Sequence, residues 1–200
     1  MDTLTILYTN QIQGDFSLLP RLYTFLQRLK QQYDVRALLL DLGDSCTPAV
    51  WHCAATAGRS TLIVLDCMGY HAANVSGFMG DSDRDRLRSS VSIGIVTERH
   101  GWRYFVPPVR DEDIIVAGKP TPALKLCIIA APADDNHLEN RMLHLKQVAK
   151  GQVGMVKVDM QTLAITASDI LTMPKGLNPN PTIAASIDLV EDEARRAQNR

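Results

Sequence analysis

Apolar and polar positions along the chain alternate between two periods. Leu4 to Tyr8 is a short apolar and β-branched run that breaks at Thr9, Asn10 and Gly14, the pattern of a buried strand ending in a loop. From Leu18 onward Leu19, Leu22, Phe25, Leu26 and Leu29 recur at helical spacing, with Ser17 placed as an N-cap and Pro20 in the first turn. Ala37 to Leu42 is apolar almost throughout, as a central parallel strand covered on both faces must be, and it runs into Gly43 and Asp44. Strand, helix, strand predicts a βαβ unit with a right-handed crossover.

The pattern then predicts two helical pieces over 47–69, broken at Gly58, with Ser60 capping the second and Gly69 closing it. Ala72 to Val75 is a third strand, and Asp81 to Arg88 a charged helix or loop. The β-rich segments 92–97 and 102–106 flank a turn at His100 and Gly101, and Pro107, Pro108, Pro120 and Pro122 punctuate an irregular region. Leu124 to Ala130 is another buried strand. Asn136 and Glu139 stand in capping-box spacing ahead of Leu138, Met142, Leu145 and Val148, which predicts a helix carrying His137 and His144. Segments 153–158 and 163–170 form an antiparallel pair, and Asn180 and Pro181 open a last helix through Ile183, Ile187 and Val190. One domain over 1–190 is expected, followed by a polar tail over 191–200.

Composition narrows the class. The 200 residues are 46% hydrophobic and 22% charged, close to the globular average, so a sizeable core is expected and disorder is excluded as the main theme. With 21 Lys+Arg against 22 Asp+Glu the net charge is -1, so nothing global steers the chain to nucleic acid or an anionic membrane. No secretory leader and no membrane-spanning run is visible, and a cytoplasmic location follows as an expectation. On that basis Cys46, Cys53, Cys67 and Cys127, with no C-x-x-C pair among them, are expected to be reduced and mainly small core residues, not a zinc site. Cys46 ahead of a helix is the one position where a helix dipole favours a reactive thiolate.

In open α/β sheets ligands sit beyond the carboxyl ends of the strands, which here brings the loops after Tyr8, Leu42 and Val75 to one edge. They carry Thr9-Asn10-Gln11-Ile12-Gln13-Gly14, Gly43-Asp44, and Met68-Gly69-Tyr70-His71-Ala72 leading to Ser76-Gly77-Phe78-Met79. This frame resembles the calcineurin-like metallophosphoesterase superfamily, particularly the N-terminal catalytic domain of the 5′-nucleotidase family. There the loops typically read T-N-D-x-H-G, G-D and M-G-Y-D-A with G-N-H-E. The later VGMVKVDMQTLAI and GLNPNPTIAASIDLVEDEA are similar to that domain's closing strands and helix. The resemblance implies an α/β sandwich of mixed β-sheets flanked by helices, without the family's separate C-terminal substrate domain.

It also implies a two-metal phosphoesterase site, and the residues depart from it. The family's ligands and its general acid fall on Gln11, Gln13, Asp44, Gly77 and Phe78, of which Asp44 alone keeps ligand chemistry. Two cations about 3.5–4 Å apart repel strongly and require several anionic ligands. Glutamine offers a neutral oxygen, and Phe78 has no proton to donate. No H-x-H occurs after the third loop. The expectation is therefore a non-catalytic member of the fold, a binding or scaffolding protein without a cofactor, whose remnant pocket of Asn10, Gln11, Gln13 and Asp44 holds a small phosphorylated ligand or a loop of a protein partner. Asp44 can serve instead as a helix cap. The alternative is a metal-dependent phosphoesterase or nucleotidase with a reassigned set, for which His52, His71, Asp15 and Asp81 are the candidates and Asp44 the one retained ligand. A third class is an interaction protein that has kept only the fold. Trp51, Trp102, Tyr104 and Phe105 are read as packing residues rather than a base-stacking platform.

Overall fold

The computed structural model describes residues 3–104, 114–123 and 125–199. Its elements in chain order are β1 (Thr3–Thr9), α1 (Leu19–Tyr33), β2 (Leu38–Asp41), α2 (Trp51–Ala55), α3 (Arg59–Cys67), β3 (Ala72–Asn74), α4 (Asp81–Arg88) and β4 (Gly94–Val96). There follow β5 (Trp102–Tyr104), β6 (Ile114–Ala117), β7 (Leu126–Ala133), β8 (His137–Glu139), β9 (Met142–Lys146), β10 (Gln152–Asp159), β11 (Ala164–Thr172) and α5 (Pro181–Gln198). One sheet runs β11-β10-β1-β2-β3-β4, its last four strands parallel; the other runs β5-β6-β7-β9-β8. The predicted metallophosphoesterase-type α/β sandwich, two mixed sheets with helices outside, is the architecture observed. Phe105, Val106, Pro107, Pro108 and Leu124 lie outside the described residues.

Period-two alternation explains the layering. Along β1, Ile6 and Tyr8 point between the sheets, where they meet Leu38, Leu40, Ile128, Leu143 and Leu145. Leu7, Leu39, Ala73 and Ile95 point the other way, under the apolar stripes of α1, α3 and α5. A third cluster, Ile115, Ala117, Cys127 and Ile129, lies on the far face of the second sheet. Gly154 of β10 stands opposite Tyr8 because any Cβ there would run into the phenol ring. Among the described residues no helix is long and apolar enough to cross a membrane.

Several expectations are corrected. The helix predicted through Leu138, Met142, Leu145 and Val148 is instead the hairpin β8–β9, turned at Asn140 and Arg141, both in the left-handed region. Its buried positions, Leu143 and Leu145, alternate with half-buried Met142 and His144, and His137 stacks on His144 across the pair at 4.3 Å. Ser17 does not cap α1, whose N-cap position is Leu18 without a side-chain bond, because the Ser17 hydroxyl is turned back to Asp15 at 2.7 Å. Ser60 lies inside α3, buried against His52, with Gly58 at the N-cap. The segments on either side of the predicted turn are linked by Thr97 N donating to His100 O at 2.9 Å, and β4 joins the first sheet while β5 joins the second. The polar stretch after Val190 is helix rather than tail: Ala194 is buried one turn on, and Arg195 pairs with Glu191 and Asp192 while lying over Trp51.

The cysteines are also not all reduced. Cys46 and Cys53 form a disulfide, their Cα atoms 5.8 Å apart, because the loop after β2 doubles back onto α2. That approach is made by the fold and needs no C-x-x-C spacing. Of the others, Cys127 is buried and Cys67 is exposed.

Candidate functional site

The loops after β1 and β2 are joined by main-chain bonds that continue the parallel pairing past the strand ends. Gln11 N donates to Gly43 O at 3.1 Å, Gln13 N to Asp44 O at 2.8 Å and Gly14 N to Ser45 O at 2.8 Å. Holding this crossing forces Gln11, Gln13 and Asp44 to φ values of 59°, 57° and 54°, a left-handed conformation uncommon outside glycine. Asn10 is buried beneath them, and its Nδ2 donates to Gly43 O at 2.9 Å. The four residues singled out from the sequence are thus brought together. Gln13 and Asp44 are exposed and Gln11 is half-buried.

Beneath the crossing lies Asp41, a carboxylate with no solvent exposure at the end of β2. It accepts from Thr9 Oγ1 at 3.1 Å, Gly43 N at 3.2 Å and Ser45 Oγ at 2.5 Å, so it fixes both residues flanking Asp44. Burial outweighs these donors and pushes its pKa up to about 7. Tyr70 shares Thr9 Oγ1 at 3.0 Å, and burial raises its phenol well above the usual range. From β3, Asn74 donates to Leu42 O at 3.3 Å and to Ala130 O at 2.7 Å, which ties the second loop to the other sheet. Neither Asp41 nor Asn74 was singled out from the sequence. The available signal for Asp41 was a charge inside an otherwise apolar strand, which must be neutralised or fully bonded.

The helix-cap reading of Asp44 is not realised: α2 begins with Val50 at its N-cap and no side-chain bond. Among the described residues, the replacement metal set does not come together. His71 sits at the start of β3, its Nδ1 accepting from Leu39 N at 3.0 Å, away from the crossing loops. Asp15 faces Lys150 at 3.6 Å, and the side chain of Asp81 lies outside the described residues. His52 is buried, its Nε2 facing Gly14 O at 3.0 Å, its Nδ1 facing Ser60 Oγ at 2.8 Å and its ring stacked on Phe16 at 3.8 Å. Phe78 packs over Gly58 and lines an apolar cleft with Cys46, Pro48 and Cys53.

A binuclear metal centre, implied by the family resemblance, does not fit these residues. The buried Asn10 Oδ1 has no donor among the described residues, so one neutral acceptor is open at the crossing. Around it stand the neutral amides of Gln11 and Gln13 and the exposed carboxylate of Asp44, while the buried carboxyl of Asp41 beneath them is taken up by Thr9, Gly43 and Ser45. Among the described residues, the one group of three or more His, Cys, Asp and Glu side chains close enough to share a metal is Cys46, His52 and Cys53. Beside the crossing, Gln11 lines a cleft of about 380 Å³ with Asp134, Lys146, Gln147 and Gln152 and with the apolar Ala133 and Val148.

No family model matches the chain, and no curated protein matches it either. Its fold is similar to solved structures. The NAD nucleotidase of Haemophilus influenzae superposes with a TM-score of 0.61 at 11% identity, over 97% of this chain and 60% of that one. The sulfate thiohydrolase SoxB of Thermus thermophilus gives 0.61 at 9% identity, over 90% and 47%. A protein described as a 5′-nucleotidase from Staphylococcus aureus gives 0.60 at 11% identity, over 95% and 58%. The chain spans about half to three fifths of the length of these proteins. At such identities the likeness is one of fold.

Proposed function

We propose that this chain is a non-catalytic member of the metallophosphoesterase fold that binds a small phosphorylated ligand or a partner's loop at the carboxyl edge of its parallel strands. The carrying observation is the chemistry of the crossing loops. Asn10, Gln11 and Gln13 are neutral, Asp44 is the one carboxylate among the four, and the backbone that presents them is held by main-chain bonds between the loops together with the side chains of Asn10 and Asp41. A frame kept in a strained conformation with its charge removed supports recognition rather than hydrolysis. Lys146 and the amides of Gln11, Gln147 and Gln152 in the adjoining cleft supply donors for phosphate oxygens or main-chain carbonyls.

The test pairs elemental metal analysis of the non-reduced protein with hydrolysis of a generic phosphate ester in added manganese, zinc or magnesium. The expected outcome is no metal retained through Asp44 and the same background hydrolysis in wild type and Asp44→Ala. Metal-dependent turnover that disappears in Asp44→Ala would overturn this reading in favour of a phosphoesterase with a reassigned site.

A further inference from the structure

The buried group of Cys46, His52 and Cys53 has a use outside the crossing loops. One ring nitrogen of His52 and the two sulfur atoms lie within 4.8 Å of one another, and all three side chains are buried. The Gly14 carbonyl can only accept, so Nε2 facing it carries the proton and Nδ1 keeps the lone pair. That is the arrangement by which metal-binding histidines are oriented, the far N–H anchored on a backbone carbonyl. Ser60 Oγ lies 2.8 Å from Nδ1 and 4.0 Å from the Cys46 sulfur, within reach of both. Its hydroxyl has a second acceptor, His52 O at 3.3 Å, to which it can turn when Nδ1 is needed elsewhere.

We propose that Cys46, Cys53 and His52 form a zinc site that the disulfide closes and that reduction by a dithiol opens. The dithiol's thiolate attacks one sulfur, the S–S bond breaks and a mixed disulfide forms. The second thiol resolves it, leaving the reductant as a cyclic disulfide and Cys46 and Cys53 as two thiols, with two electrons and two protons transferred. Zinc binding then displaces both thiol protons, and the two thiolates neutralise the ion in an apolar setting. Zinc takes sulfur at about 2.3 Å and nitrogen at about 2.0–2.1 Å, which sets ligand atoms about 3.4–3.8 Å apart in a tetrahedron. The three atoms need only local movement to reach that spacing. A cleft of about 300 Å³ lined by Cys46, Thr47, Pro48, Cys53, Ala57 and Phe78 gives the reductant its approach and leaves room for a fourth, exchangeable ligand.

The experiment uses the full chain, non-reduced and after anaerobic reduction with dithiothreitol and its removal, titrated with Co²⁺ as a spectroscopic substitute for zinc. Reduced protein is expected to take one equivalent with thiolate-to-cobalt charge-transfer absorption and the visible bands of a tetrahedral ion, displaced by zinc; non-reduced protein takes none. Cys46→Ser and Cys53→Ser abolish the charge-transfer band, and His52→Ala weakens cobalt binding at least tenfold. The double variant Cys67→Ser/Cys127→Ser keeps the site, and so does Asp44→Ala, which separates this inference from the reading of the crossing loops. No cobalt band in reduced wild type sinks the proposal without any variant having to fold. A band lost in Cys67→Ser/Cys127→Ser, or kept in Cys46→Ser, does the same.

Discussion

Asp41 carries the largest electrostatic demand placed on a single residue at the candidate site. Its carboxyl ionises near 3.8 when exposed and near 7 in the fold, so between those values the folded chain holds a proton that the unfolded chain has released. Stability from this group is present below pH 4 and is lost as the pH rises towards and through 7. Urea midpoints measured at pH 5 and pH 7.5 should therefore fall with pH, and Asp41→Asn should flatten that slope. A variant with the wild-type slope would show that Asp41 does not titrate in this window. The sequence displayed this residue in plain view, one charge in the run ALLLDL, but the donors that surround it come from Thr9, Gly43 and Ser45, two of them on the far side of a turn. Asn10, Gln11, Gln13 and Asp44 were legible because they occupy the loops that strand order brings together. His52 was visible only as one of several dispersed histidines, since its neighbours Phe16, Gly14 and Ser60 are set by packing.

At the scale of elements, caps and alternation decide what can be read. Asn180 was marked as the start of α5, and its side chain accepts from Thr182 N at 3.0 Å and Ile183 N at 3.1 Å. Asn180→Ala leaves both donors to solvent and should cost about 1 kcal/mol, seen as a lower urea midpoint with an unchanged slope. A loss well below that would mean Pro181 and the packing of Ile183 hold the helix start unaided. The apolar runs of β1, β2, β7 and β10 identified themselves, as strands buried on both faces do. The hairpin β8–β9 did not, because Leu138, Met142, Leu145 and Val148 also fit a helical stripe. The competing signal was Leu143 and Leu145 alternating with Met142 and His144, a short period-two pattern that becomes decisive only when β7 supplies a parallel neighbour. The end of α5 was hidden for the opposite reason. Its last turns are polar in sequence, and Trp51, distant along the chain, provides the surface on which Arg195 lies.

For the whole molecule, the two sheets are tied at the candidate edge by a few polar links laid over an apolar interior. Asn74 bonds Ala130 across the interface, and Tyr8 OH reaches Asn136 Oδ1 at 3.1 Å, which also accepts from Lys146 N at 2.7 Å. These bonds set the second sheet beside the crossing loops, so the cleft bearing Gln11, Asp134 and Lys146 is a product of sheet-on-sheet packing. The ladder that joins Gln11, Gln13 and Gly14 to Gly43, Asp44 and Ser45 uses amide hydrogens and carbonyl oxygens alone. Side-chain identity at Gln11 and Gln13 is thereby uncoupled from the shape of the edge. The double variant Gln11→Asp/Gln13→His should fold with a stability within about 0.5 kcal/mol of wild type, as substitutions away from packed or bonded features generally do; a loss of several kcal/mol would show that the amides themselves brace the loops. A protein built this way is an editable mount, able to shed or regain its chemistry one side chain at a time while the platform beneath stays intact.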